Sequence, residues 1–135
     1  MGGTSFDVSL VHDGTPSLTQ ELRVHDMPVG VAAVDVHSIG AGGGSIAWID
    51  KGGALQVGPQ SAGAEPGPVF YDQSGTEPTC TDANVVLGYV NPDYFLGGRR
   101  AIKQDLSYQA IEKRIAKPLG LSVAEAAQGA VFSRR

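Results

Sequence analysis

The chain opens on Gly2-Gly3-Thr4-Ser5-Phe6-Asp7, a run whose residue types suit the handling of phosphate. A phosphoryl group is held by backbone N–H groups pointing inward from a loop free of Cβ obstruction, with hydroxyls close by. Gly2 and Gly3 leave that space, and Thr4 and Ser5 supply the hydroxyls. Asp7 is the candidate for holding a metal-bound water, since Mg²⁺ takes one or two carboxylates and keeps several waters. A glycine-rich turn at the start of a strand would use the same residues, and the local sequence leaves both readings open.

A second block, Gly42-Gly43-Gly44-Ser45, adds cofactor-binding candidates. Three consecutive glycines carry an entropic cost that an ordinary turn seldom needs, so they mark close approach to a ligand or to another backbone. The block is not a P-loop, because no Gly-Lys-Ser/Thr follows it. Asp82, in Thr79-Cys80-Thr81-Asp82, is the candidate catalytic carboxylate besides Asp7. A carboxylate in the first turn of a helix also stabilises that helix with no chemistry involved. Asp35 and His37 could join the glycine block, but no His-x-His or Glu-x-x-His spacing gives a metal signature. Cys80 has no thiolate-stabilising neighbours in sequence and reads as a buried thiol.

These residues need elements to position them. Val8–Val11 alternates as a half-buried strand, His12 to Pro16 supplies turn residues, and Leu18–Val24 reads as the returning strand of a hairpin. Val31–Ile39 fits a strand or a short helix. Ile46–Asp50 and Ala54–Val57 flank Lys51-Gly52-Gly53 as a second hairpin. Gly58–Gly75 is a long loop, stiffened at Glu65-Pro66-Gly67-Pro68, of the kind that is commonly functional. Thr81 caps a short helix that Gly88 ends, with Asp82 in its first turn. A second helix starts at Asp105 or Ser107 and stops at Pro118 and Gly120. Ser122-Val123-Ala124-Glu125 is a capping box that opens a last helix running to the end of the chain. The expected class is α/β, with β-hairpins first and helices C-terminal. Residues 1–135 are expected to form a single partial domain, from a start on a motif and an end in mid-pattern.

Composition narrows the function. The chain has 135 residues, 41% hydrophobic and 18% charged, the balance of one globular domain. Its 19 glycines and 8 prolines gather in short blocks between apolar segments, which is the pattern of ordered turns. A net charge of −4 without a basic stripe argues against nucleic acid. No apolar run approaches the roughly 20 residues of a membrane span. A single cysteine and the absence of a secretion signal fit the cytoplasm.

Four blocks, in order, resemble one family. They are Met1 to Leu10, Ile39 to Ala47, Val57 to Pro68 and Thr79 to Gly88, with a looser match through Phe95-Leu96-Gly97-Gly98 and beyond. They are similar to the hydantoinase A/5-oxoprolinase family, which includes N-methylhydantoinases and an acetone carboxylase subunit. The resemblance implies part of an actin/Hsp70/sugar-kinase-like ATPase lobe of ribonuclease-H type, with ATP and Mg²⁺ as cofactors. It makes Gly2 to Asp7 the second phosphate loop. Phe6 departs from the family, which usually has Thr there, and the aspartate that usually precedes Met1 is absent from this chain. The implied partners are a small cyclic amide and the missing lobes of a longer parent chain. Apolar surface left uncovered by those lobes implies self-association into a homo-oligomer.

Overall fold

In the computed structural model, which describes residues 1–132, strands come first and helices follow. The strands are β1 (Phe6–Val8), β2 (Val11–His12), β3 (Thr15–Pro16), β4 (Leu18–Thr19), β5 (Arg23–Val24), β6 (Met27–Pro28), β7 (Ala33–Val34), β8 (His37–Ile39), β9 (Ser45–Ile49) and β10 (Leu55–Ser61). Among the described residues they form five antiparallel pairs, each two-stranded.

The expected hairpin of Val8–Val11 with Leu18–Val24 is replaced by shorter pairings. Asp13 (φ 48°) and Gly14 (φ 76°) both take the left-handed conformation that a two-residue hairpin turn demands, so Val11 and His12 fold back at once onto Pro16 and Thr15. His25 and Asp26, also at positive φ, close β5 on β6 in the same way. β1 is left to pair across the ribbon with β8: Phe6 lies opposite Ile39, Asp7 opposite Ser38 and Val8 opposite His37. The undecided Val31–Ile39 segment is therefore two short strands.

The second hairpin forms where the sequence places it, with Leu55 opposite Ile49 and Val57 opposite Ala47. Asp50 organises its turn by accepting the N–H groups of Gly52 at 2.8 Å and Ala54 at 2.9 Å. The Ala54 N–H and then the Gln56 side chain hold the Asp50 carboxyl below its ordinary range.

The helices are α1 (Cys80–Val86), α2 (Gln104–Ile111), a π turn over Glu112–Ala116, α3 (Lys117–Leu119) and α4 (Val123–Phe132). Thr79, not Thr81, caps α1: its side chain accepts the Asp82 N–H, and Asp82 reaches back to the Thr79 N–H. Of its two expected stops, Pro118 and Gly120, the second helix passes the first and takes the second. In the π turn the Lys117 N–H bonds to Glu112, one residue further back than in an α-helix, and the helix ends at Gly120 (φ 65°). Ser122 and Glu125 form the expected capping box. Continuation of α4 to the end of the chain lies outside the described residues.

The core is a small-residue helical cluster: Ala83, Ile111, Ile115, Ala126, Ala127 and Ala130 pack beneath Ala47 of β9. Cys80 is buried against it. No residue in 1–40 is buried, so the core lies wholly in the later part of the chain. No helix among the described residues is long and apolar enough to cross a membrane.

Candidate functional site

Where the two glycine blocks meet, they touch backbone to backbone. The Gly43 N–H donates to the Gly2 carbonyl at 2.9 Å, and the Gly44 N–H donates to the Gly3 carbonyl at 2.7 Å. A Cβ on Gly42 would stand 2.5 Å from the Gly3 carbonyl carbon and 2.6 Å from the Thr4 nitrogen. Only glycine permits that approach. The Gly42 N–H turns inward to the buried Ser45 hydroxyl at 2.8 Å, which fixes the block from below. Gly42 and Ser45 thus serve the loop's geometry and do not line the cavity that it creates.

That cavity, of about 450 Å³, is lined by Gly2, Gly3, Thr4, Gly43, Gly44 and Thr81 on one side. Gly63, Ala64, Pro68 and Tyr71 complete it. Among the described residues no acceptor engages the N–H of Gly3 or Thr4, nor the Thr4 hydroxyl. A Cβ built on Gly3 would meet nothing within 4 Å. The first loop therefore presents free donors and open space, while the N–H groups of the second are already bonded. The Gly2 N–H is also taken, by the Ser5 carbonyl at 2.8 Å, which closes the loop on itself.

The carboxylates expected to do chemistry lie elsewhere. Asp7 sits on β1, exposed and outside the cavity lining, and accepts the Ser38 hydroxyl at 2.6 Å. Asp82 is fully buried and receives five donors: the N–H groups of Val69, Phe70 and Thr79 and the hydroxyls of Thr79 and Ser107. A carboxylate so occupied has no lone pair left for a metal or a proton in transit. The geometry makes Asp82 a joint that ties the Val69–Tyr71 3₁₀ turn to α1 and α2. Asp35 and His37 stand 3.7 Å apart on the exposed ribbon, away from the cavity. Among the described residues no group of three or more His, Cys, Asp or Glu could hold a metal ion.

Thr81 is the residue that sequence reasoning misplaced. Freed from capping, its hydroxyl donates to the Gly43 carbonyl at 2.8 Å and binds α1 to the glycine bed. The spacing Thr79-x-x-Asp82 was the available signal for the true cap. The far wall falls within the Gly58–Gly75 loop that the sequence marks as functional, but Tyr71 was not singled out in it. Tyr71 reaches the cavity because Gly67 (φ 71°) has no side chain; a Cβ there would lie 2.6 Å from the tyrosine ring.

Comparison with known proteins gives a consistent result. A family model described as hydantoinase/oxoprolinase matches residues 1–133. The chain is 47% identical over 131 residues to the caprolactamase alpha subunit of Pseudomonas jessenii, covering 97% of this chain and 19% of that one. It is 50% identical over 129 residues to the acetophenone carboxylase gamma subunit of Aromatoleum aromaticum, covering 94% of this chain and 18% of the relative. The crystal structure of the ATP-dependent caprolactamase from Pseudomonas jessenii superposes with a TM-score of 0.77 at 48% identity, over 96% of this chain and 19% of that one. The chain thus spans about a fifth of the length of the curated relatives it matches.

Proposed function

Because this chain belongs to the hydantoinase/oxoprolinase family, we propose that it is the phosphate-binding part of an ATP-dependent enzyme that opens a cyclic amide. The observation that carries the proposal is the pair of unengaged N–H groups on Gly3 and Thr4, two residues that line the cavity, their peptide units held from behind by Gly43 and Gly44. Free donors on a rigid bed are what a phosphoryl group selects.

In this reading Gly3, Thr4 and the Thr4 hydroxyl hold the terminal phosphates of ATP. Ser5 lends a second hydroxyl at the loop's edge, and Gly42 to Ser45 keep the loop in place. Mg²⁺, when bound, would supply positive charge against the phosphates; Asp7, on β1 just beyond the loop and outside the cavity lining, is the carboxylate that would reach it through a water. The acceptor's carbonyl oxygen forms a bond to the terminal phosphorus as the bond from phosphorus to the ADP oxygen breaks, its electron pair leaving with ADP. Water then adds to the activated carbon, and the ring C–N bond breaks with its electron pair and a proton passing to nitrogen. A second water releases phosphate from the acyl phosphate that results. Transfer of this kind depends on placement and charge, which loop donors supply.

The chain works within a longer polypeptide, as relatives about five times its length suggest. In such a protein the actin/Hsp70-like lobes would close on ATP, and this chain alone would be inactive. A cytoplasmic location suits an enzyme that draws on ATP. The similarity to an acetophenone carboxylase subunit supports a second reading, in which the acceptor is a ketone or bicarbonate.

The deciding experiment measures MgATP hydrolysis and MgADP binding by the full-length polypeptide, with and without Gly3→Val, in the presence of caprolactam, hydantoin, 5-oxoproline and acetophenone. Loss of MgADP binding in a folded Gly3→Val variant is expected. Normal binding there would reduce the loop to a turn. Turnover with the ketone but with none of the rings would favour the carboxylase reading.

A further inference from the structure

Tyr71 stands on the cavity wall that carries no glycine of the first loop, and its surroundings fix the ring closely. The Phe70 ring meets it edge-on at 4.6 Å, and the Arg100 guanidinium lies over its face, 4.1 Å from the centroid. The Arg100 side chain also donates to the Tyr71 carbonyl at 3.2 Å, and the Tyr71 N–H donates to Pro68 at 3.0 Å. Among the described residues nothing bonds the Tyr71 hydroxyl, and no carboxylate pairs with Arg100. Arg100 is not part of the cavity lining, so its charge braces the ring from outside.

We propose that Tyr71 binds the phosphoryl acceptor, its ring and hydroxyl forming the seat for a planar amide opposite the Gly3–Thr4 donors. The inference rests on the phosphate reading of the same cavity. Two features assign the acceptor, and not the phosphates, to this wall. Phosphate oxygens call for several N–H donors, and these lie on the first loop. An aromatic face with a single hydroxyl offers apolar contact and one hydrogen bond, the complement of a neutral planar amide. The cavity, at about 450 Å³, falls within the roughly 300–1,000 Å³ typical of small-molecule sites and leaves room beside a phosphoryl group. Arg100 acts through Tyr71 and is a positioning residue.

The test uses the full-length polypeptide with MgADP, caprolactam, hydantoin and 5-oxoproline as probes. Tyr71→Phe keeps the ring and removes only the hydroxyl. It should raise the KM of the ring substrate by roughly two- to tenfold, the effect of one hydrogen bond, while the Kd of MgADP changes less than twofold. Arg100→Met should move the same KM upward, and Arg100→Lys, which keeps a cation behind the ring, should restore part of it. Unchanged KM and kcat in Tyr71→Phe would overturn the proposal. So would an equal loss of MgADP affinity, which would put Tyr71 on the nucleotide side, or failure of every ring probe to bind. Gly3→Val is the control for the underlying reading: if it still binds MgADP, the phosphate site itself is wrong, whatever Tyr71 does.

Discussion

The Gly44 N–H donates to the Gly3 carbonyl at 2.7 Å, so one glycine block is the bed of the other. Two similar-looking glycine runs therefore have different work, and substitution separates them. Gly3→Val adds its side chain toward open space and should change stability by less than about 1 kcal/mol. Gly42→Ala sets a Cβ 2.5 Å from the Gly3 backbone and should cost about 1–3 kcal/mol by overpacking. Urea denaturation of both variants checks this; equal midpoints would mean that the two loops do not bear on each other.

The Thr4 hydroxyl has no partner among the described residues, so Thr4→Ala should leave the urea midpoint unchanged. MgADP affinity should fall by about 0.5–1.5 kcal/mol, the contribution of one hydrogen bond. Asp7→Asn keeps an oxygen for the Ser38 hydroxyl but loses the charge. Its ATP turnover should fall at low Mg²⁺ and recover as Mg²⁺ is raised. A defect that does not respond to Mg²⁺ would remove Asp7 from the metal site.

Asp82 accepts five donors with no exposure to solvent. Asp82→Asn replaces one acceptor oxygen by an NH₂ that faces N–H and hydroxyl donors, and should destabilise the chain by roughly 3 kcal/mol. Thermal unfolding followed by circular dichroism measures the loss. A variant as stable as the parent but catalytically dead would return Asp82 to the chemistry.

How much of this was legible in the sequence depended on the kind of interaction. Glycine clusters pointed to both loops, because close backbone approach leaves its mark in residue type. The second hairpin was readable from the Lys51-Gly52-Gly53 turn between two apolar runs. The partner of β1 was not, since alternation fixes which face of a strand is buried and says nothing about which strand lies beside it. Thr79 and Thr81 offered the same hydroxyl two residues apart, and only the reciprocal bond from Asp82 distinguishes them. The stop at Gly120 was readable, while Pro118 looked like one too because the π turn that precedes it has no signature in composition. The Tyr71 wall depends on contacts with Gly67 and Arg100, and the Arg100 contact is 29 residues away in sequence.

The capping box of α4 sets one acid limb of stability. The Ser122 hydroxyl, then its N–H, holds the Glu125 carboxyl below its ordinary value of 4.5. The folded value is thus lower than the unfolded one, so this stabilisation is complete above the ordinary carboxylate range and disappears as pH falls through the folded value. Urea midpoints recorded from neutral pH down through that range should fall less steeply in Ser122→Ala than in the parent. Identical slopes would mean that the box contributes nothing to folding.

No residue in 1–40 is buried, yet Gly3 and Thr4 belong to that stretch, while the glycine bed beneath them joins the packed body. Hydrogen exchange should therefore show two tiers, with amides of the ribbon opening at far lower free energy than those of α1 and α4. The proposed ligand site straddles the boundary between them. Occupancy would transfer protection from the slow tier to the fast one, along β1 and across its register to His37, Ser38 and Ile39. The amides of that strand that bond to β1, alternate ones along it and remote in sequence from the loop, would then report whether the site is filled.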